Sequence, residues 1–466
     1  MNKKISFISL ILLVIGSIDN IRNLPSSALF GSSSIFFFLL GAVLFLIPTA
    51  LVAAELAAAF PKEGGVYHWM KHALGAKMGV CAVWLQWINT MVWYPTILSF
   101  IAGSIAYLIS PALAASPLYI LSVILILFWT LTAINLFGVR TSAKVNSLCG
   151  LIGTIIPLLL LVGLGIYWFF SGHPLQIGFS SSEVLPSLST SSTWVSLISV
   201  MASFLGMELS GVHVNDIEKP NKNFPKAILI AASFILFSML FGSLTIALIL
   251  PKENINLISG VLQVFSSLFA SLNLSGFTPI LALLIIIGSI GNMINWLISP
   301  AKGLFHASEE GFLPPSLTKI NRYGVPSRIL IVQAVLVSAF AGFFLLVPSI
   351  NAFYWFLTAL STGLYMMMYI LLFMGALKLH YSHKDRPGSF KIPFGTVGIW
   401  LASSLGLIGC LVTLIIGFLP PDALLIESKL RYALFIGCGN LVLIAPVFLF
   451  FLYKKRKRSE ELMDAS

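Results

Sequence analysis

The chain has 466 residues, of which 58% are hydrophobic and 9% are charged. Its mean hydropathy of +0.98 excludes an ordinary soluble domain, because apolar runs of about 20 residues have the length that spans a bilayer. The net charge of +11 does not indicate nucleic-acid binding, since membrane topology explains how it is distributed. We predict an all-α polytopic membrane protein with twelve transmembrane spans, near residues 8–31, 35–60, 78–110, 118–137, 145–170, 193–217, 226–250, 275–303, 329–347, 352–377, 396–419 and 432–453.

The basic residues predict the orientation of these spans. Most of the 27 Lys and Arg residues fall at the termini or on one set of alternate loops. The exceptions are Arg22 inside the first span and Lys252, Lys429 and Arg431 on the other set of loops. Positively charged loops stay on the cytoplasmic side. Both termini are therefore predicted to be cytoplasmic, and the basic then acidic tail, residues 454–466, is expected at the surface of the lipid bilayer.

The first span contains polar groups where hydrocarbon is expected. Asp19 and Arg22 lie within the apolar run with Asn20 and Asn23 beside them, and Pro25 follows. A charge at the bilayer centre costs about 2.5–3.5 kcal/mol on insertion scales, so such groups usually face a partner or a water-filled cavity. We therefore predict that this helix is broken and that its polar residues line an internal site.

The sixth span is interrupted in a similar way, because its apolar sequence contains Ser203, Gly206 and Glu208. Interrupted helices at matching positions of two five-helix halves are typical of inverted-repeat transporters. The predicted organisation is one transmembrane domain, residues 1–453, with repeats at 8–170 and 193–377 and two further helices at 396–453.

The two breaks also suggest the ligand. Breaking a helix at mid-membrane frees N–H groups at the start of one half-helix and C=O groups at the end of the other, and neither can stay unpaired in lipid. The carboxylate of a zwitterion satisfies the N–H groups, and its ammonium satisfies the carbonyls. An amino acid is therefore the predicted substrate.

Four segments, in their order along the chain, resemble the amino acid-polyamine-organocation (APC) permeases. They are residues 61–67 (PKEGGVY), 204–208 (FLGME), 215–225 (NDIEKPNKNFP) and 307–314 (ASEEGFLP). The segments 213–215 (HVN) and 419–422 (LPPD) are most similar to the bacterial glutamate/GABA antiporter branch. The resemblance implies a LeuT-type 5+5 inverted repeat with broken helices 1 and 6. It also implies alternating access and secondary active, proton-linked uptake or exchange of amino acids across the bacterial cytoplasmic (inner) membrane.

The chain departs from the family pattern at the first break. Family members carry a Gly-Ser-Gly-like triplet where this chain has Ile18, Asp19 and Asn20, counted back from Pro25. At the position of the aromatic gate of arginine/agmatine exchangers the chain has Ala202. The tail is also too short for the C-terminal plug of the glutamate/GABA antiporters. The resemblance therefore does not identify the amino acid.

The resemblance places the substrate at the two breaks and against the facing helices. The predicted substrate-binding residues are Ile18, Asp19, Asn20, Tyr94, Ala202, Ser203, Phe204, Gly206 and Trp296. Trp296 is also a predicted gate. In so aromatic a chain, however, Trp296 and Tyr94 have the alternative of being packing residues.

Three charged residues have alternative roles. Glu208 either stabilises the broken helix or takes up and releases the coupling proton. Asp19 either pairs with Arg22 across one helical turn or meets the substrate ammonium, and it is the second candidate for proton coupling. Arg22 either gates the external side, meets an acidic substrate side chain or has a structural role. Structural or gating pairs near cytoplasmic helix ends are expected for Glu55, His213 and Asp216.

No cofactor or metal is predicted, because the sequence has neither a P-loop nor a His-Glu-x-x-His motif. Coupling is therefore expected from protons or from an exchanged amino acid or amine. An integral membrane enzyme acting on lipid-linked substrates is an alternative, although the short surface loops carry no convergent set of acids and bases. A non-transporting amino-acid sensor is another. The sequence leaves the oligomeric state open, a homodimer included.

Overall fold

The computed structural model of the chain describes residues 6–18, 20–60, 65–138, 148–186, 194–209, 217–309, 311–347, 349–382, 390–422 and 428–464. Helices are the only extended regular elements within these ranges. The predicted all-α architecture is therefore confirmed for this part of the chain.

The described ranges contain short and long α-helices. In chain order they are α1 Phe7–Ile18, α2 Leu24–Ala28, α3 Ser34–Gly41, α4 Ile47–Ala59, α5 Val66–Leu74, α6 Ala76–Ile109, α7 Pro117–Leu136, α8 Ile156–Phe170, α9 Ser181–Val184, α10 Ser196–Ser203, α11 Pro220–Ile249, α12 Gly260–Ser271, α13 Phe277–Glu309, α14 Ser327–Gly342, α15 Ile350–Ser382, α16 Gly395–Ile416, α17 Lys429–Ile444 and α18 Pro446–Asp464. Two π-helical segments, Ala42–Leu46 and Leu151–Ile155, lead directly into α4 and α8.

Among the described residues, ten helical segments are long and apolar enough to cross a membrane. They are Phe7–Ala28, Gly31–Ala59, Ala76–Ile109, Pro117–Leu136, Leu148–Phe170, Lys222–Ile249, Ser327–Leu345, Ile350–Ser382, Gly395–Ile416 and Lys429–Arg456. These segments confirm an integral membrane protein with many spans.

The predicted sixth and eighth spans are not among the ten. In their place are two shorter apolar stretches, Ser196–Leu209 and Phe277–Gly291. The first is short because α10 ends at Ser203 and a turn follows. The count of twelve spans and the 5+5 repeat therefore stay predictions. A further short apolar helix, Gly260–Ser271, which is α12, was not predicted from the sequence.

The long helix α6 packs against both α13 and α15, and these three helices form the walls around the two broken helices. On another side of α13, the backbone around residues 150–153 comes very close to the backbones of α13 and α1. A Cβ atom added to Gly153 would lie 2.2 Å from the Cα of Gly288 in α13, and one added to Gly150 would lie 3.3 Å from the Cα of Gly16 in α1. Small residues that permit such approaches are a usual means of packing helices in membranes. Glycine at these positions keeps α1 and α13 in place around the site.

We expect Gly153→Ala to lower the melting temperature of the purified protein. The new Cβ would also lie 2.5 Å from the backbone oxygen of Leu284, so the two helices must separate, and overpacking of this kind costs about 1–3 kcal/mol. Gly163→Ala is the matched control, because a Cβ there meets nothing within 4 Å. Thermal unfolding in detergent, followed by tryptophan fluorescence, compares the two. Equal melting temperatures would contradict the close packing.

Candidate functional site

The first span is broken close to its middle. Helix α1 ends at Ile18, and the chain resumes as a 3₁₀ turn, Ile21–Asn23, before α2. Asn20 has an extended backbone, with φ −136° and ψ 101°, and its side chain accepts a hydrogen bond from the N–H of Arg22. Asn20 therefore acts as an N-cap for the second half. Asp19, a predicted binding and proton-coupling residue, lies outside the described residues.

The second break follows α10. That helix ends at Ser203, and the chain turns through residues 204–206 before a 3₁₀ turn at residues 207–209. Gly206 has φ +107°, a backbone conformation that residues with a Cβ atom rarely adopt. The turn places Glu208 immediately after the break. His213 and Asp216 lie outside the described residues.

The two breaks contact each other directly. The side-chain amide of Asn23 donates to the carbonyl oxygen of Ala202 at 3.4 Å, and the hydroxyl of Ser27 donates to that of Ser199 at 3.2 Å. The carbonyl of Ala202 lies at the end of α10, where the last carbonyl groups of a helix have no N–H donors from a following turn. A side chain from the first break thus satisfies a backbone group at the second.

A small cavity, which we call the central cavity, lies between the breaks. It is lined by Ile18, Asn20, Arg22, Asn23, Asn89, Trp93, Ala202, Leu205, Trp296 and Tyr365. Its volume is about 20 Å³, little more than one water molecule requires. The structure therefore has the breaks closed upon each other. An amino acid would need the surrounding helices to separate.

Arg22 joins three parts of the bundle at one end of the central cavity. Its Nη1 donates to the hydroxyl of Thr96 in α6 at 2.7 Å and to that of Tyr354 in α15 at 3.2 Å. Its guanidinium carbon lies 4.9 Å from the ring centroid of Trp93, a cation–π distance. Only 3% of the Arg22 surface is exposed. The N-terminal end of α1 points away from Arg22. We use the predicted cytoplasmic N-terminus only to name the two ends, and call the end with Arg22 the outer side and the opposite end the inner side.

Glu208 is the centre of a polar cluster on the inner side. Its surface is 0% exposed, and its carboxylate accepts hydrogen bonds from the hydroxyls of Tyr365 and Tyr369 in α15. The amide of Gln86 in α6 donates to the same carboxylate at 3.1 Å. Tyr369 also accepts the N–H of Gly206 at 2.9 Å. We call Gln86, Glu208, Tyr365 and Tyr369 the Glu208 cluster. It ties the second break to α6 and α15.

The Glu208 cluster separates the central cavity from a second one. Gln86 and Glu208 line this inner cavity, whose volume is about 110 Å³, whereas Tyr365 lines the central cavity. The inner cavity is also lined by His68, Lys302 and His306. Residues 65–68 follow the second span, so this cavity belongs to the inner side. Glu208 therefore has space for water on its inner side, and the central cavity lies beyond its tyrosine partners.

Trp296 and Tyr94 have different surroundings. Trp296 lines the central cavity, with its ring centroid 5.0 Å from that of Trp93. The hydroxyl of Tyr94 donates to the backbone oxygen of Trp296 at 2.7 Å. Pro300, four residues later, has no N–H to pair with that oxygen. Tyr94 replaces the missing helical donor, and it is not among the residues that line the central cavity.

Three more of the predicted residues make contacts away from the central cavity. The hydroxyl of Ser203 donates to the carbonyl of Ser199 within α10, and the ring of Phe204 packs against that of Phe38. Glu55 lies on the inner side, where its carboxylate accepts the N–H of Ile392 at 2.8 Å and is 3.9 Å from His380. None of these contacts brings Ser203, Phe204 or Glu55 to the lining of the central cavity.

Sequence reasoning missed most of the polar residues on α6 and α15. They are Gln86, Asn89, Trp93 and Thr96 on α6, and Tyr354, Ser361, Tyr365 and Tyr369 on α15. Within each set the residues recur at intervals of three, four or seven, which places them on one face of a helix. That periodicity could have identified both helices as walls of the site.

The two tyrosines of the Glu208 cluster should not be equivalent. Tyr365→Phe removes one donor to Glu208, whereas Tyr369→Phe also leaves the buried N–H of Gly206 without its partner. An unsatisfied buried donor costs about 1–3 kcal/mol, so we expect Tyr369→Phe to lower the melting temperature more than Tyr365→Phe does. Thermal unfolding of both variants in detergent measures the difference. The reverse order would contradict the contact with Gly206.

Comparison with known proteins identifies the family of this chain. The family model described as amino acid permease matches residues 5–455. An uncharacterised transporter of Legionella pneumophila is 36% identical, covering 99% of this chain and 98% of the relative. A glutamate/γ-aminobutyrate antiporter of Lactococcus lactis is 29% identical over 97% of this chain and 92% of its own. A probable agmatine/putrescine antiporter of the same species is 24% identical over 90% and 88%. The chain therefore belongs to the amino acid permease family and is an integral membrane transporter of amino acids or related amines.

Proposed function

We propose that the protein is a secondary active antiporter that exchanges amino acids, or an amino acid for an amine, by alternating access. The observation that carries this proposal is a central cavity between two broken helices, bounded by Arg22 and its partners on the outer side and by the Glu208 cluster on the inner side. Each boundary links a break to the same two helices, α6 and α15. Opening one boundary while the other stays closed would expose the cavity to one side at a time.

The α-ammonium and α-carboxylate of the substrate would bind at the breaks. The carbonyls at the ends of α1 and α10 would be acceptors for the ammonium. The N–H groups of the Ile21–Asn23 turn would be donors for the carboxylate, those of Arg22 and Asn23 after leaving their present acceptor, Asn20. Asn23 and Ala202 would then exchange their mutual hydrogen bond for contacts with the substrate. Trp296 would cover the site and move as it opens.

Glu208 would couple transport to protons. As an ionised carboxylate it accepts from three side-chain donors, Gln86, Tyr365 and Tyr369. A protonated carboxyl has a donor of its own, so one of the two phenols would have to accept instead. Proton uptake would thereby loosen the contact between the second break and α15. With both termini in the cytoplasm, as the basic residues predict, this boundary faces the cytoplasm.

Exchange in liposomes tests the proposal. Purified protein would be reconstituted, the liposomes loaded with a panel of amino acids and amines, and uptake of labelled amino acids measured without ATP. We expect uptake that depends on an internal substrate. An absence of flux above empty liposomes for every internal and external pair would contradict transport. Binding without flux would favour a sensor, and conversion of a lipid-linked substrate would favour an enzyme.

A further inference from the structure

Arg22 has hydrogen-bonding capacity that its neighbours in the described part of the chain do not use. A guanidinium carries five N–H donors, yet both side-chain bonds found among the described residues leave from Nη1. The Nε of Arg22 is buried and has no hydrogen-bond partner in this part of the chain. Arg22 also lines the central cavity. A buried donor beside the central cavity is therefore left without an acceptor among the described residues.

The charge of Arg22 is similarly uncompensated by the described residues. Its neighbours there are two hydroxyls and an indole ring, from Thr96, Tyr354 and Trp93. The ion pairs found among the described residues, His380 with Glu55 and Lys429 with Asp422, do not include it. A cation within a membrane is costly unless an anion accompanies it. This combination of unused donor and unpaired charge points to an anionic ligand.

We propose that Arg22 binds a carboxylate on the side chain of the substrate, so that the preferred substrates are acidic amino acids. This inference rests on the proposed transport function and specifies its substrate class. A carboxylate in the central cavity can take the Nε–H together with a terminal N–H in the two-point geometry that guanidinium favours. The α-groups would remain at the breaks, and Trp93 and Trp296 would enclose the aliphatic part of the side chain.

The inner cavity agrees with an acidic substrate. Lys302, His68 and His306 line it, and Glu208 is the one carboxylate among its described lining residues. The formal charge of Lys302 offsets that of Glu208, so this lining carries no net negative charge that would repel an anion. An acidic amino acid arriving from the inner side would therefore meet no net repulsion there before it reaches Arg22.

Competition between glutamate and glutamine tests the inference, because the two differ in charge but little in shape. In exchanging liposomes the wild-type protein should take up glutamate about tenfold or more faster than glutamine at equal concentration. Arg22→Gln should lower that ratio by about tenfold or more, and Arg22→Lys should retain part of it. Thr96→Val, which removes an Nη1 partner but leaves the charge, should keep the ratio near that of the wild type.

Three results would overturn the inference. The first is wild-type protein that transports glutamine as fast as glutamate. The second is Arg22→Gln slowing both substrates by the same factor, which would assign Arg22 to the α-carboxylate or to the outer boundary alone. The third is an Arg22→Gln variant that keeps both the wild-type rates and the wild-type ratio. In each of these cases amino acids still move, so the transport function survives. Only a complete lack of flux for every substrate would remove both.

Discussion

Glu208→Gln is expected to remove most of the pH dependence of exchange while substrate binding is retained. Glu208 supplies the one carboxyl group of the Glu208 cluster, and its partners Tyr365 and Tyr369 are held by hydrogen bonds to it. Glutamine has nearly the same shape and keeps one oxygen acceptor, but it cannot exchange a proton. The ratio of exchange rates at acidic and neutral pH should therefore fall toward unity.

Glu55→Gln provides the matched control for that experiment. Glu55 is also an inner-side carboxylate, but it contacts His380 and the backbone of Ile392 rather than the central cavity. We expect this variant to keep the shape of the wild-type pH profile. Exchange would be measured in liposomes with equal pH on both sides, so that no gradient drives the flux. An unchanged profile in Glu208→Gln would assign Glu208 a structural role only.

The broken helices could be predicted from sequence because their causes are local. Asn20 caps the half-helix that follows it, and Gly206 supplies a backbone conformation that other residues resist. Charged and polar residues in an apolar span rarely face lipid, so their presence indicates an internal site. In the structure, helix α1 accordingly ends at Ile18 and helix α10 ends at Ser203.

The partners of the charged residues could not be predicted in the same way. Glu208 and Tyr365 are 157 positions apart, and Arg22 and Tyr354 are 332 apart. Nothing in the local sequence distinguishes those tyrosines from the packing aromatics of an apolar chain. Only the spacing of polar residues along α6 and α15 indicates a common face, and it does not show which break that face meets.

Tyr94 shows how a resemblance can point to a residue and leave its contacts unspecified. Its hydroxyl donates to the backbone oxygen of Trp296, and Tyr94 is not among the residues that line the central cavity. The cause is Pro300, whose missing N–H leaves that carbonyl without a helical partner. The proline was visible in the sequence, whereas the donor that compensates for it came from a different helix.

Gly206→Ala is expected to lower exchange about tenfold or more, since about 1–3 kcal/mol of backbone strain corresponds to factors of this size. Gly206 has φ +107°, and an added Cβ would lie 3.0 Å from the Trp296 ring. The substitution therefore combines backbone strain with displacement of the ring that covers the central cavity. Its N–H also donates to Tyr369, so a shifted backbone would disturb the Glu208 cluster as well.

Gly75→Ala separates backbone strain from the effect on the site. Gly75 has φ +94° and a Cβ there would meet nothing within 4 Å, so this variant carries similar strain without touching Trp296 or Tyr369. We expect both variants to unfold at lower temperature but only Gly206→Ala to lose exchange per folded molecule. Thermal unfolding in detergent and exchange in liposomes, normalised to folded protein, measure the two effects. Equal losses of exchange would mean that the second break needs glycine for folding alone. A loss confined to Gly206→Ala would mean that the geometry of this turn sets the rate at which the central cavity opens. That geometry includes the contacts of Gly206 with the Trp296 ring and the Tyr369 hydroxyl.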